Sequence, residues 1–252
     1  MKTKIILFIA ILDLLTINIF TQTLKKVSDI SVPEGYTRVK NQSASIGEYF
    51  QNLDLKTDNN TVYLYNGQKK YNQSAQYTVI KMDIGKKDLQ QCADAVMRLR
   101  AEYLYKTKQY DKIHFNFLSD KKPRYYNDYC KGDYSYSKFF KYMEYIFSYA
   151  NTGSLLDELQ KVTSFYDIQT GDVLIQKGNP YGHAVTVIDV AKNEKAEKIY
   201  LLAQSYMPAQ ETHILVNPND NKLSPWYNAN SGDIITTPEW TFYKSDLRRF
   251  KE

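Results

Sequence analysis

Apolar positions recur along the chain with two periods, one helical and one extended, and the switch between them divides the sequence. Leu89, Cys92, Val96, Leu99 and Tyr103 fall on one face of a helix. Asp88 can cap that helix and Gln91 holds the third position after it. No Gly or Pro intervenes before Lys108, so the spacing predicts helix up to there. Arg98, Arg100 and Glu102 lie off the stripe, where helix arginines form ordinary surface pairs. Upstream, Ser45-x-x-Glu48 has capping-box form and opens a helix through Leu53. Val62–Tyr65, Asn66-Gly67 and Gln68–Lys70 read as a hairpin about a type I′ turn. Tyr77–Asp83 and Ile113–Phe117 alternate as strands do, and helices are expected at Ser137–Ala150 and Ser154–Val162. Beyond them Asp172–Gln176, His183–Val190, Ile199–Ser205 and Thr212–Val216 are short β-rich runs separated by turn residues. Helices first and strands later predict an α+β fold, helices packed on an antiparallel sheet.

The first 22 residues follow neither pattern. Lys2 and Lys4 precede an apolar run from Ile5 to Phe20 that Asp13 interrupts. That run is about 16 residues, against the roughly 20 that a membrane span needs. It reads as a secretory signal cut near Gln22, leaving 252 − 22 = 230 residues as one domain, exported to the periplasm or beyond. The mature chain is expected to hold no membrane span. At 43% hydrophobic and 24% charged the composition is that of a folded globular protein. The net charge is +5 and no Lys/Arg run exceeds a pair, which argues against nucleic acid as a partner. Tyrosine is in excess, 23 against 11 phenylalanines, and Tyr125, Tyr126, Tyr129, Tyr134 and Tyr136 crowd one stretch that could line a groove for glycan or peptide.

Three residues combine into candidate chemistry. Cys92 falls in the first turn of the strongest helix, where unpaired N–H groups and the macrodipole favour a thiolate. His183 opens a strand, rigidly held yet near an edge open to substrate. Gln204 ends the next strand, where its amide can orient the imidazole, with Ser205 as its substitute if the strand phase differs. Nucleophile, base and orienter in that order are the logic of a cysteine hydrolase. Tyr181, two residues before His183, and Ser205 are candidates to contact a peptide or peptidoglycan-like substrate, and no cofactor is expected. The alternative is a non-catalytic glycan- or peptide-binding domain. There Cys92 is a core residue or is bonded to Cys130, the only other cysteine, as an oxidising compartment permits. His114, His183 and His213 lack metal-ligand spacing, His114 reads as facing solvent or a polar seam, and Asp172 and Asp189 read as turn and strand-end residues.

Cysteine on a helix N-terminus, then Gly171-Asp172 shortly before a histidine strand, resembles the papain-like cell-wall peptidases and amidases of the NlpC/P60 and CHAP groups. Gln91-Cys92-Ala93 replaces their Asp-Cys-Ser, and the 183 − 92 = 91 residues between nucleophile and base imply an insertion. The strings Asp88 to Tyr103, Gly182-His-Ala-Val185, Leu201 to Gln210, Pro225-Trp-Tyr227 and Thr237-Pro-Glu-Trp240 resemble an exported bacterial family catalogued as domain of unknown function 4846. That resemblance implies no activity. It does place Cys92, His183 and Gln204 inside family segments and Cys130 outside them.

Overall fold

A computed structural model describes residues 23–178 and 180–251. The proposed leader lies outside the described residues. Along the chain run β1 (Thr37–Arg38), α1 (Ile46–Gln51), β2 (Gln76–Val79), α2 (Cys92–Lys106), β3 (His114–Asn116) and β4 (Pro123–Tyr125). Three helices follow, α3 (Tyr126–Cys130), α4 (Tyr136–Phe147) and α5 (Thr152–Glu158). The rest is extended: β5 (Leu159–Lys161), β6 (Val173–Gln176), β7 (His183–Lys192), β8 (Lys198–Gln204) and β9 (His213–Leu215), then β10 (Tyr227–Asn228), β11 (Ile234–Thr236), β12 (Thr241–Tyr243) and β13 (Leu247–Phe250).

Nine of these strands form one sheet in the order β2-β9-β8-β7-β6-β13-β5, with β1 added to β7 and β10 to β8. Every pairing in it is antiparallel. The molecule is therefore a mixed α and β structure built on an antiparallel sheet, as the order of periodicities predicts. Locally the structure and the prediction differ. The helix expected over Ser154–Val162 stops at Glu158, because Leu159–Lys161 pairs with β13 at the sheet edge. At Asn66-Gly67 only Gly67 has positive φ, at 81°, and its N–H donates to Leu64 O at 2.9 Å. A type I′ turn needs positive φ at both central residues, so this hairpin instead closes with one left-handed glycine.

β7 is the axis of the site. Its side chains alternate between faces: Ala184 packs in a cluster with Ala93, Val96 and Met97 of α2, while Val185 and Val187 pack in another with Leu202 and Phe242. A bulge between Val187 and Asp189 shifts this alternation. There Asp189 accepts from Arg38 Nε at 2.7 Å and Gln51 Nε2 at 2.9 Å. Asp172, one residue before β6, binds Arg249 Nε at 2.6 Å. Both aspartates are fully buried and paired with arginines of β1 and β13, so each ties strands of the sheet together; Asp172 does so from the turn before β6, whereas Asp189 lies inside β7 and not at its end.

α2 also departs from the one-sided helix of the periodicity. Arg98 and Glu102 are buried with its apolar stripe, Arg98 donating to Glu102 Oε1 at 2.9 Å, Gln90 Oε1 at 3.0 Å and Tyr136 Oη at 2.9 Å. Arg100 is half-buried, its guanidinium over the Tyr103 and Phe250 rings. Among the described residues no helix is long and apolar enough to cross a membrane.

Candidate functional site

α2 begins later than its sequence implies. Asp88 does not cap it. Its Oδ1 accepts from Ala209 N at 2.7 Å and Gln91 Nε2 at 3.1 Å, tying the approach segment to the loop after β8. The cap is Gln91, whose N–H donates to Asp94 Oδ2 at 3.1 Å, so Cys92 becomes the first residue of the helix. The sulfur lies on a cleft of about 460 Å³. Asp88, Gln91, Asn151 and Lys177 form its polar rim, and Leu118, Phe147, Tyr181 and Met207 its apolar wall. Tyr181 stands 63% exposed beside that cleft.

Cys92 Sγ meets Gly182 O at 3.9 Å, and the N–H of Ala184 also faces the sulfur. The thiol is thus set against the backbone on either side of His183. Gly182 lets the chain entering β7 close against the end of β6 and the start of α5: a Cβ there would stand 2.3 Å from Gln176 O and 3.0 Å from a Thr152 methyl. No hydrogen bond joins the sulfur to the imidazole, and His183 Nδ1 has no partner. Strand alternation gives the reason. α2 packs on the Ala184 face, whereas the His183 ring lies among Tyr206, Trp240 and Phe242, with centroids at 4.9, 5.2 and 5.7 Å.

His183 and Gln204 are brought together directly, Nε2 to Oε1 at 3.0 Å. Ser205 points the other way. It is buried, and its hydroxyl lies 2.8 Å from Gln210 O and 2.9 Å from Gln90 O, so it pins the loop beside α2 and not the imidazole. Three residues that the sequence reading passed over complete the cluster. Gln204 Nε2 donates to Glu239 Oε2 at 2.6 Å and lies 3.4 Å from His213 Nε2, and Lys70 Nζ holds the same Glu239 oxygen at 2.6 Å. The signals were present in Thr237-Pro-Glu-Trp240 and the Lys70 hairpin, but nothing in either string points at a histidine 239 − 183 = 56 or 183 − 70 = 113 residues away.

The tyrosine-rich stretch does not line this cleft. Tyr126 is fully buried, Tyr134 stacks on Tyr110 at 4.4 Å, and Tyr136 binds Arg98 and Glu102. The crowd is an aromatic cluster around α3 and α4 in which Tyr126 is buried and Tyr125, Tyr134 and Tyr136 stay partly exposed. Cys92 and Cys130 are both buried free thiols, so no disulfide joins them. His114 sits half-buried on a second cavity of about 410 Å³, beside Glu158. Burial raises that carboxyl to about 7. Among the described residues no three His, Cys, Asp or Glu side chains gather to hold a metal ion.

The electrostatics reverse one expectation. Burial raises the Cys92 thiol above its ordinary range, and the Asp94 carboxyl adds to this; the Ala93 and Ala184 N–H groups and Thr152 hydroxyl oppose it without winning. The helix terminus favours a thiolate, but a cysteine only 5% exposed has lost more hydration than the dipole returns. His183 moves down to about 4, chiefly by burial, and is neutral at pH 7. The resting pair is a thiol and a neutral imidazole. Alkylation of native Cys92 by iodoacetamide should therefore be slower at pH 7 than that of a free thiol. Its midpoint should lie above the free-thiol value of about 8.5. Mass spectrometry of the Cys92 peptide across pH measures this, and a midpoint at or below the free-thiol value would contradict the burial argument.

No curated protein and no solved structure matches the chain. A family model described as "Domain of unknown function (4846)" matches residues 27–249, a span that holds α2 with Cys92, the His183 strand and Glu239, and the chain belongs to that family.

Proposed function

We propose that the protein is an exported, papain-like cysteine hydrolase that cleaves amide bonds in extracellular or cell-wall peptide. The observation that carries this reading is a helix-terminal cysteine on a cleft, its sulfur against the carbonyl of Gly182, the residue just before a Gln-oriented histidine. In the reaction His183 Nδ1 takes the thiol proton as Cys92 Sγ bonds to the carbonyl carbon, and the C=O pair moves onto oxygen. The positive N-terminal end of α2 favours the negative charge that develops beside Cys92. Collapse re-forms C=O and breaks C–N, and the amine leaves with the imidazole proton. Water then opens the thioester: His183 takes its proton, C–S breaks, and the thiol is restored. Because the imidazole is neutral at pH 7, it works as a general base during attack and not as half of a standing ion pair. The reaction requires the thiol and the ring, held on different faces of β7, to come together around the strand's end, a rearrangement that substrate binding is expected to drive.

The buried, protonated thiol favours a second reading, a peptide-binding domain in which Cys92 only packs. A peptidyl vinyl sulfone separates the two. The hydrolase reading expects one adduct, on Cys92 and not Cys130, formed by the native chain and not after denaturation. Equal labelling of both cysteines, or labelling only once unfolded, would assign the cleft to binding.

A further inference from the structure

The ion pair behind Gln204 is unused by that mechanism as written, yet it decides what His183 can do. Glu239 Oε2 accepts from both Lys70 Nζ and Gln204 Nε2 at 2.6 Å, and its Oε1 accepts from Asn72 Nδ2 at 3.2 Å. A carboxylate only accepts, so the Gln204 amide must turn its NH₂ toward Glu239 and its oxygen toward His183. The neighbouring imidazole agrees with this orientation. His213 Nδ1 lies 2.8 Å from Glu211 O and must carry the proton there, which leaves its Nε2 lone pair to face the second hydrogen of the same NH₂. Gln204 Oε1, an acceptor, then requires the His183 proton on Nε2.

We propose that the Lys70–Glu239 ion pair, acting through the Gln204 amide, locks His183 in the Nε2–H tautomer and so reserves Nδ1 as its basic atom. Glu239 and Lys70 are positioning residues that touch neither the cleft thiol nor the reacting carbonyl. Two contacts orient the amide, and the carboxylate dominates: its charge-assisted bond on one hydrogen is 2.6 Å long, whereas the His213 lone pair faces the other at 3.4 Å. Both partners of the ion pair are largely buried, with side-chain exposures of 6% for Lys70 and 14% for Glu239, so solvent does little to weaken the lock. The ionisable groups around the ring are Lys70 and Glu239 behind Gln204, His213 beside it, Tyr206 against its face and Cys92 across the strand end. The inference rests on the hydrolase reading only for its consequence in rate.

The test is a long-range ¹H–¹⁵N spectrum of chain labelled at the histidine rings, recorded near pH 7. Wild type should show His183 as a single Nε2–H tautomer and His213 as Nδ1–H. Glu239→Gln can offer Gln204 either a donor or an acceptor, so His183 should become a tautomer mixture. Amide hydrolysis by that variant should fall about tenfold or more in kcat with KM little changed. Glu239→Asp, which keeps a carboxylate, should retain the single tautomer. An Nδ1–H His183 in wild type overturns the proposal without any variant having to fold. So does a Glu239→Gln spectrum identical to wild type. The tautomer readout needs no substrate, so its failure is separable from failure of the hydrolase reading.

Discussion

Replacing Cys92 by alanine should abolish amide hydrolysis, and replacing His183 should lower kcat by about 10²–10⁴-fold, the range a positioned general base supplies. In barrier height the second effect is about 3–5 kcal/mol, at 1.36 kcal/mol per tenfold. The two differ because their roles differ. Without the sulfur there is no acyl-enzyme at all, whereas without the imidazole a residual thiolate fraction still attacks and grows with pH. The His183 variant should therefore regain activity as pH rises, while Cys92→Ala stays inactive throughout. His183 is fully buried among three aromatic rings, so His183→Ala opens a cavity and lowers stability as well. His183→Phe keeps a ring in that space and isolates the loss of the base. Thermal melts of all three variants beside kcat and KM on a peptide amide make the measurement. Activity in Cys92→Ala equal to wild type would end the hydrolase reading.

What the sequence revealed of this site followed strand parity. A side chain on β8 faces one on β7 only if their positions agree, and Gln204 does agree with His183 while Ser205 faces Gln90. Local chemistry was legible in the same way: Ser45 caps α1 and accepts from Glu48 N, four short β runs fall within a residue or two of β6 to β9, and β7 starts at His183. The hidden part is non-local. Lys70 and Glu239 are 169 residues apart and meet only in the fold, where the Lys70 hairpin bridges through Leu64 to Gln210 before β9. The thiol misled for a related reason. A helix N-terminus is visible in a sequence, but the desolvation that overrides it depends on what covers the sulfur, here the Gly182–Ala184 backbone and the wall of the cleft. The tyrosines misled because composition cannot tell a ring lining a groove from one stacked in a core.

Arg98 makes the strongest stability prediction because it was expected at the surface and is instead completely buried. Its guanidinium is bound by Glu102, Gln90, Tyr136 and the Asp83 carbonyl and lies 4.8 Å from the Phe140 ring centroid. Arg98→Met fits the space of the aliphatic stem but leaves the Glu102 carboxylate buried without its cation. Removing one partner of a buried pair costs about 3–5 kcal/mol. For a chain of this size each kcal/mol moves Tm by about 2–4 °C, so the melt should fall by about 6–20 °C. Replacing both charges, Arg98→Met with Glu102→Leu, should recover most of that loss, since an apolar pair of similar volume has no desolvation to offset. If the double variant is as unstable as the single, the cost lies in the hydrogen bonds to Gln90 and Tyr136 and not in the orphaned carboxylate. The position of this cluster ties stability to chemistry. Gln90 Oε1 accepts from Arg98, and Gln90 O faces the Ser205 hydroxyl at 2.9 Å, so one residue links the body of α2 to the end of β8 two positions before Cys92. Loosening Arg98 should therefore let the cysteine shift relative to His183, and Arg98→Met should lose kcat well below its melting temperature.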